Sequence, residues 1–212
     1  MPNRRAVTVS GLVGIALIGL AGCTTAPASR EADPTFARKV VTYPTPEQPG
    51  TILIDPGSHF LYLVQGGGQA IRYGVGVGAE GFVWSGRATI HNKQEWPDWY
   101  PPVEMMARKP ELREHMVQLQ SGLGMPGGPE NPLGARAMYL WHGNKDTLYR
   151  IHGTNEPWTI GTNVSSGCIR LTNDDVTDLY NRTRVGTKVI VLGSAAATPV
   201  DALVSRPTLP IR

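Results

Sequence analysis

The chain has 212 residues, 41% hydrophobic, 17% charged and 7% aromatic, the profile of a globular protein of one domain or two small ones. Disordered, collagenous, coiled-coil and polytopic membrane classes are excluded. The formal net charge of +3 loses two positive charges if Arg4 and Arg5 belong to a removable leader, and a nearly neutral remainder gives no electrostatic case for nucleic acid.

Taken from the start, Arg4 and Arg5 precede an uncharged run over residues 6–22. That run is short of the ~20 residues a spanning helix needs, and it ends in Leu20-Ala21-Gly22-Cys23, small residues directly before a cysteine. The string LAGC resembles the lipobox of bacterial lipoproteins. The resemblance implies that residues 1–22 are a signal peptide and that Cys23 is acylated on its thiol and on its new amino group. Several acyl chains anchor stably where one is marginal. Thr24, rather than Asp, follows the cysteine, which by the same resemblance implies the periplasmic face of a Gram-negative outer membrane. A plain signal peptide or a single-pass anchor with a chance cysteine is the alternative.

Residues 23–50 read as an extended tether, because Pro27, Pro34, Pro44, Pro46 and Pro49 leave little room for a helix. From residue 51 the pattern changes. TILID, HFLYLVQ and AIRYGVGVG are dense in β-branched and aromatic residues and are broken by Pro56-Gly57 and Gly66-Gly67-Gly68. GRATIHN, ARAMYLW, TLYRIHG and TKVIVLG continue the strand signal. Two stretches look helical: PELREHMVQL, and NDDVTDLYNRT, where Asn173 can cap and Val176, Leu179 and Tyr180 share a face. The expectation is a mainly β domain over residues 51–193 with one or two short helices, followed by a loosely ordered tail over residues 194–212.

Cys23 and Cys168 are the two cysteines. If Cys23 is lipidated, Cys168 is a lone thiol, and its neighbours are Val164-Ser165-Ser166-Gly167-Cys168-Ile169-Arg170 with His152-Gly153-Thr154 upstream. A thiol nucleophile needs a base to take and return a proton, and imidazole suits that exchange. Gly167 leaves the backbone open to a substrate carbonyl, and amides around Cys168 could hold an oxyanion. By spacing alone the pair also fits an inert buried cysteine and a core histidine. His59, His91, His115 and His142 have no metal-ligand spacing. The glycines of SGLGMPGGPENPLG lack the lysine and context of a phosphate loop.

The string HGTNEPWTIGTNVSSGCIRLTNDDVTDLY, followed by GTKVIVL, resembles the signature of the YkuD-like L,D-transpeptidases: HGT, IG, then S-x-GC-(I/L)-R. Upstream, TILIDPGSHFLYLV, RYGVGVG and GGPENPLGARAMYL are similar to that family too. The resemblance implies a β-sandwich-like catalytic domain, Cys168 as nucleophile, His152 as base and no cofactor or metal. It also implies that the Gly153 carbonyl orients the imidazole, with Gly167 and Ser166 beside the thiol as candidates for oxyanion support or base orientation. Ser166 stands where many members have histidine. Arg170, on the same side of an extended segment as Cys168, is expected either to grip a substrate carboxylate or to pair with Asp174 or Asp175. Trp158 is the candidate for the rim of the site. Trp96, Trp99 and Tyr100 read as loop packing or a lid. The implied substrates are peptidoglycan stem peptides. The attacking amine would be another stem or an outer-membrane lipoprotein, and water would give carboxypeptidase trimming. A wall-binding lipoprotein without catalysis is the competing class.

Overall fold

The computed structural model describes residues 31–193 and 198–200. Residues 1–30, with the expected leader and Cys23, and residues 194–197 and 201–212 lie outside the described residues. The strands in the first half are β1 (Lys39–Thr42), β2 (Ile52–Asp55), β3 (Phe60–Gly66), β4 (Gln69–Gly74), β5 (Val77–Gly78) and β6 (Trp84–Glu95). Helix α1 (Val103–Arg108) comes next, then β7 (Val117–Leu119), β8 (Gly122–Gly124), β9 (Arg136–His142) and β10 (Lys145–His152). The chain continues through β11 (Asn163–Ser165), β12 (Ile169–Arg170), helix α2 (Asn173–Arg182), β13 (Lys188–Val191) and β14 (Thr198–Pro199). The protein is mainly β, as its sequence implies.

Among the described residues ten strands form one mixed sheet in the order β1-β4-β3-β2-β13-β6-β9-β10-β12, with β14 beside β6. Burial alternates as a half-buried strand requires: Leu61 and Leu63 of β3 point inward while Phe60 and Tyr62 are less buried, and Ala88 and Ile90 of β6 are buried while Arg87, Thr89 and His91 are exposed. Ile71 and Tyr73 near one end of this order and Ile169 at the other belong to a single core with Val176 and Leu179 of α2. A sheet whose far strands share one core must curve around it.

Helix α2 forms where its apolar spacing predicts, but Thr172 caps it. The Thr172 hydroxyl accepts from the Asp175 N–H at 3.2 Å. Asn173 has another task, its Oδ1 accepting from the Ala135 N–H at 2.9 Å. At the far end of α2, Lys93 Nζ of β6 donates to the carbonyls of Tyr180 and Thr183, each at 2.6 Å, a cation where the helix presents unsatisfied carbonyls.

Three expectations are corrected. PELREHMVQL is not an α-helix: Pro110–His115 is a 3-10 segment with no buried side chain, and Val117 begins the β7–β8 hairpin. Its periodic apolar residues have no core to face, so nothing rewards the regular helix. The tether is shorter than its composition suggests, because Lys39–Thr42 is the edge strand of the main sheet. Within the tail, β14 runs parallel to β6 and Val200 is 1% exposed.

Between β6 and β9 the chain makes a long excursion held largely by Asn131, itself 1% exposed. Its Nδ2 donates to the carbonyls of Pro97, Met125 and Pro126 at 3.0–3.1 Å, and its Oδ1 accepts from the Leu133 N–H at 2.8 Å. Asn131→Ala strands these buried groups. It is expected to cost about 2–4 kcal/mol in chemical denaturation and to speed proteolysis within residues 97–127.

Candidate active site

The candidate pair sits on two neighbouring parallel strands. Ile151 of β10 pairs with Ile169 of β12, and His152 pairs with Arg170. The two isoleucines point into the core, so His152 and Arg170 take the opposite face. One rung back on that face lie Arg150 and, just before β12, Cys168. Beyond the pair, the Leu171 N–H closes onto the His152 carbonyl at 2.9 Å.

His152 is 4% exposed, and its Nδ1 lies 2.6 Å from the Gly153 carbonyl. A carbonyl only accepts, so Nδ1 carries the proton and Nε2 keeps its lone pair. Burial, above all, lowers its pKa to about 3. The Arg170 and Arg150 charges act the same way, and the Gly153 carbonyl opposes them. His152 is therefore neutral throughout the physiological range, with the Nε2 lone pair unprotonated.

Cys168 is partly exposed, yet its sulfur is enclosed enough that burial raises the thiol pKa. Opposing this are the Arg150 main-chain N–H and the charges of Arg150 and Arg170. Enclosure thus disfavours charge on the Cys168 thiol as it does on the His152 imidazole.

The turn before Cys168 is held by Ser165, not Ser166. Ser165 is buried; its Oγ donates to the Cys168 carbonyl at 2.6 Å and accepts from the Gly167 N–H at 3.1 Å. Ser166 is exposed. Gly167 has φ +112°, and a Cβ there would run into the Tyr149 ring, so only glycine fits without a shift. Its carbonyl accepts from Trp84 Nε1–H at 2.9 Å, and the Trp84 indole stacks on Tyr149 at 5.1 Å. Since the Gly167 N–H is taken by Ser165, the expectation that it serves as an oxyanion donor is withdrawn.

Arg170 does not pair with Asp174 or Asp175. Its Nη1 meets Glu156 Oε2 at 3.1 Å, and its buried Nε has no acceptor among the described residues. Asp175 faces Arg38 instead, at 3.7 Å. Trp158 lies in the 3-10 turn Pro157–Thr159, 44% exposed, on the segment joining His152 to Cys168. Trp99 is bridged through its backbone to Met125, whereas Trp96 and Tyr100 are exposed. Among the described residues no three His, Cys, Asp or Glu side chains gather as metal ligands.

Arg150 is a charged neighbour of the candidate pair that the sequence reading did not single out. Asp146 holds its guanidinium through both oxygens, at 2.7 and 2.9 Å, and it lies over the Tyr139 ring at 4.4 Å. Between Asp146 and Arg150 the register with β9 shifts, with Leu148 at φ +63°. A bulge of this kind re-aims the side chains downstream of it. The signal was available, since Arg150 is two residues before His152 and shares its face of the strand.

Residues 49–191 match the YkuD family model, described as an L,D-transpeptidase catalytic domain. The chain belongs to this family. It is 40% identical over 106 residues to the probable L,D-transpeptidase ErfK/SrfK of Escherichia coli K12, covering 49% of this chain and 30% of that protein. To the probable L,D-transpeptidase YbiS of the same strain it is 31% identical over 144 residues, covering 66% and 43%. The chain thus spans less than half the length of both curated relatives. A solved Brucella melitensis structure described as a probable carnitine operon oxidoreductase is 52% identical, covering 76% of this chain and 96% of that one, with a TM-score of 0.50.

Two pH-dependent outcomes are expected of this L,D-transpeptidase domain. Between pH 6.5 and about 3 an unfolded His152 binds a proton that the folded one refuses, so folding stability falls as pH drops through that window. His152→Gln removes this component, and the difference between the two unfolding curves should widen towards acid. Arg150→Gln removes a cation beside the thiol. It is expected to move the pH profile of Cys168 alkylation by iodoacetamide to higher pH, whereas Arg150→Lys moves it less.

Proposed function

We propose that the chain is a peptidoglycan L,D-transpeptidase acting through Cys168. The observation that carries this reading is the placement of a neutral, carbonyl-oriented His152 one strand from the Cys168 turn, inside a domain of this family. Cys168 Sγ attacks the carbonyl joining the third stem residue, diaminopimelate, to the terminal D-Ala. As the S–C bond forms, His152 Nε2 takes the thiol proton, and the Cys168 N–H faces the developing oxyanion. The C–N bond then breaks, D-Ala leaves with the proton from His152, and a thioester remains. An acceptor amine gives its proton back to His152 and releases the thiol.

The acceptor decides the product. A stem-peptide amine gives a 3-3 cross-link, a lipoprotein lysine gives protein attachment, and water gives trimming. Arg170 supports recognition of a substrate carboxylate, since its buried Nε lacks an acceptor and Glu156 is an exposed, displaceable partner. Acylation of Cys23 and residence at the periplasmic face of an outer membrane belong to the same proposal. They rest on the LAGC string and Thr24.

The test is incubation with purified disaccharide-tetrapeptide, with products resolved by mass and Cys168→Ala alongside. The expected product is a dimer lacking one D-Ala, absent with Cys168→Ala. Tripeptide alone supports trimming, and no product supports the anchoring reading. A carbapenem should acylate Cys168, and His152→Ala should slow that step by about 10²-fold or more. An unchanged rate removes His152 from the mechanism.

A further inference from the structure

The family match begins at residue 49, but the ordered structure begins earlier and reaches the active-site loop. Asp33 caps the 3-10 turn Pro34–Phe36, its Oδ1 accepting from the Thr35 N–H at 2.8 Å. β1 then pairs with β4 from Lys39 opposite Arg72 to Thr42 opposite Gln69. Between turn and strand, Arg38 reaches α2, with Nη1 at 2.9 Å from Asp178 and Nε at 3.7 Å from Asp175. Asp178 is also held by the Tyr73 hydroxyl at 2.7 Å and by Arg182 at 2.8 Å.

Phe36 is the tip of this arm. Its ring lies 5.4 Å from that of Phe60 and 6.4 Å from that of His59. A Cβ on Gly161, at φ +86°, would run into the Phe36 ring, and a Cβ on Gly74 would run into Phe36 itself. Gly161 makes room for the Phe36 ring, and Gly74 for its Cβ and main chain. Gly161 belongs to the segment that joins His152 to Cys168, three residues after Trp158. The same segment is pinned at the Gly161 N–H by the Val75 carbonyl at 3.1 Å, and at Asn163 Oδ1 by His59 Nε2 at 2.6 Å.

We propose that residues 33–42 are a positioning element of the active site: Phe36 clamps the segment between His152 and Cys168 by filling the space over Gly74 and Gly161, and Arg38 ties the arm to α2. The arm touches no reacting atom. It holds the segment bearing Trp158 against the sheet, so that substrate meets a preformed rim. The inference rests on the acyl-transfer reading for its effect on rate, but not for its effect on the segment.

The test uses the full chain with Phe36→Ala, Phe36→Leu and Arg38→Gln. Three quantities are read: carbapenem acylation as a function of concentration, the pH profile of iodoacetamide alkylation, and hydrogen exchange over residues 159–163. For Phe36→Ala, exchange over residues 159–163 should rise and acylation efficiency fall about tenfold or more through weaker binding. The alkylation profile should stay in place, and Phe36→Leu should recover most of the loss. Acylation within twofold of the parent, or a shifted alkylation profile, overturns the proposal. If Phe36→Ala fails to fold, Arg38→Gln decides: faster exchange over residues 159–163 supports the clamp and unchanged exchange refutes it. A parent chain that no carbapenem acylates defeats the functional reading, while the exchange data still judge the clamp.

Discussion

Two rungs of parallel pairing, Ile151 with Ile169 and His152 with Arg170, set the position of everything else in the site. Parallel neighbours cannot be joined by a tight hairpin and require a crossover. Here the crossover contains no α-helix. It is the 16-residue stretch from Gly153 to Cys168, which makes its own small parallel sheet with β5 through β11. The histidine comes at the end of one strand and the cysteine just before the other. Burying the two isoleucines on the core side therefore obliges both reactive groups to emerge together on the other face.

That arrangement has an electrostatic cost that the arginines offset in part. Enclosure disfavours charge on both His152 and Cys168, lowering one pKa and raising the other. Arg150 and Arg170 push His152 further in the same direction but draw the thiol back towards ionisation. The cations thus favour negative charge on sulfur while disfavouring positive charge on the imidazole. Neither arginine is left loose, since Asp146 holds one in a two-point grip and Glu156 holds the other at one point. The difference matters for access: a one-point, exposed partner yields to an incoming carboxylate more readily than a bidentate one.

Much of this was legible in the sequence wherever a local rule was enforced by burial. The strands from TILID to TKVIVL appear because runs rich in β-branched and aromatic residues bury their side chains in one core. The α2 signal succeeded because Val176 and Leu179 had somewhere to pack. PELREHMVQL failed for the opposite reason, having periodicity without a core to receive it. That His152 and Cys168 come to neighbouring strands agrees with the pairing their sequence neighbours suggested, but the choice of Ser165 over Ser166 left no such signal. Which of two adjacent hydroxyls turns inward depends on the backbone path through Gly167. Thr172 displaced Asn173 as cap because a distant amide, Ala135 N–H, claimed the asparagine. Long-range partners of this kind leave no local trace.

The edge strand β1 also alters how far the domain can travel. Composition suggested a tether running from Cys23 to about residue 50, which at full extension reaches about 95 Å. The 3-10 turn and β1 take residues 34–42 out of that length by fixing them to the sheet. With Cys23 lipidated as proposed, nine residues lie between it and Asp33, a leash of at most about 35 Å. The domain would then patrol a thin layer next to its membrane. Its acceptors would be selected by their height above that surface as well as by their chemistry.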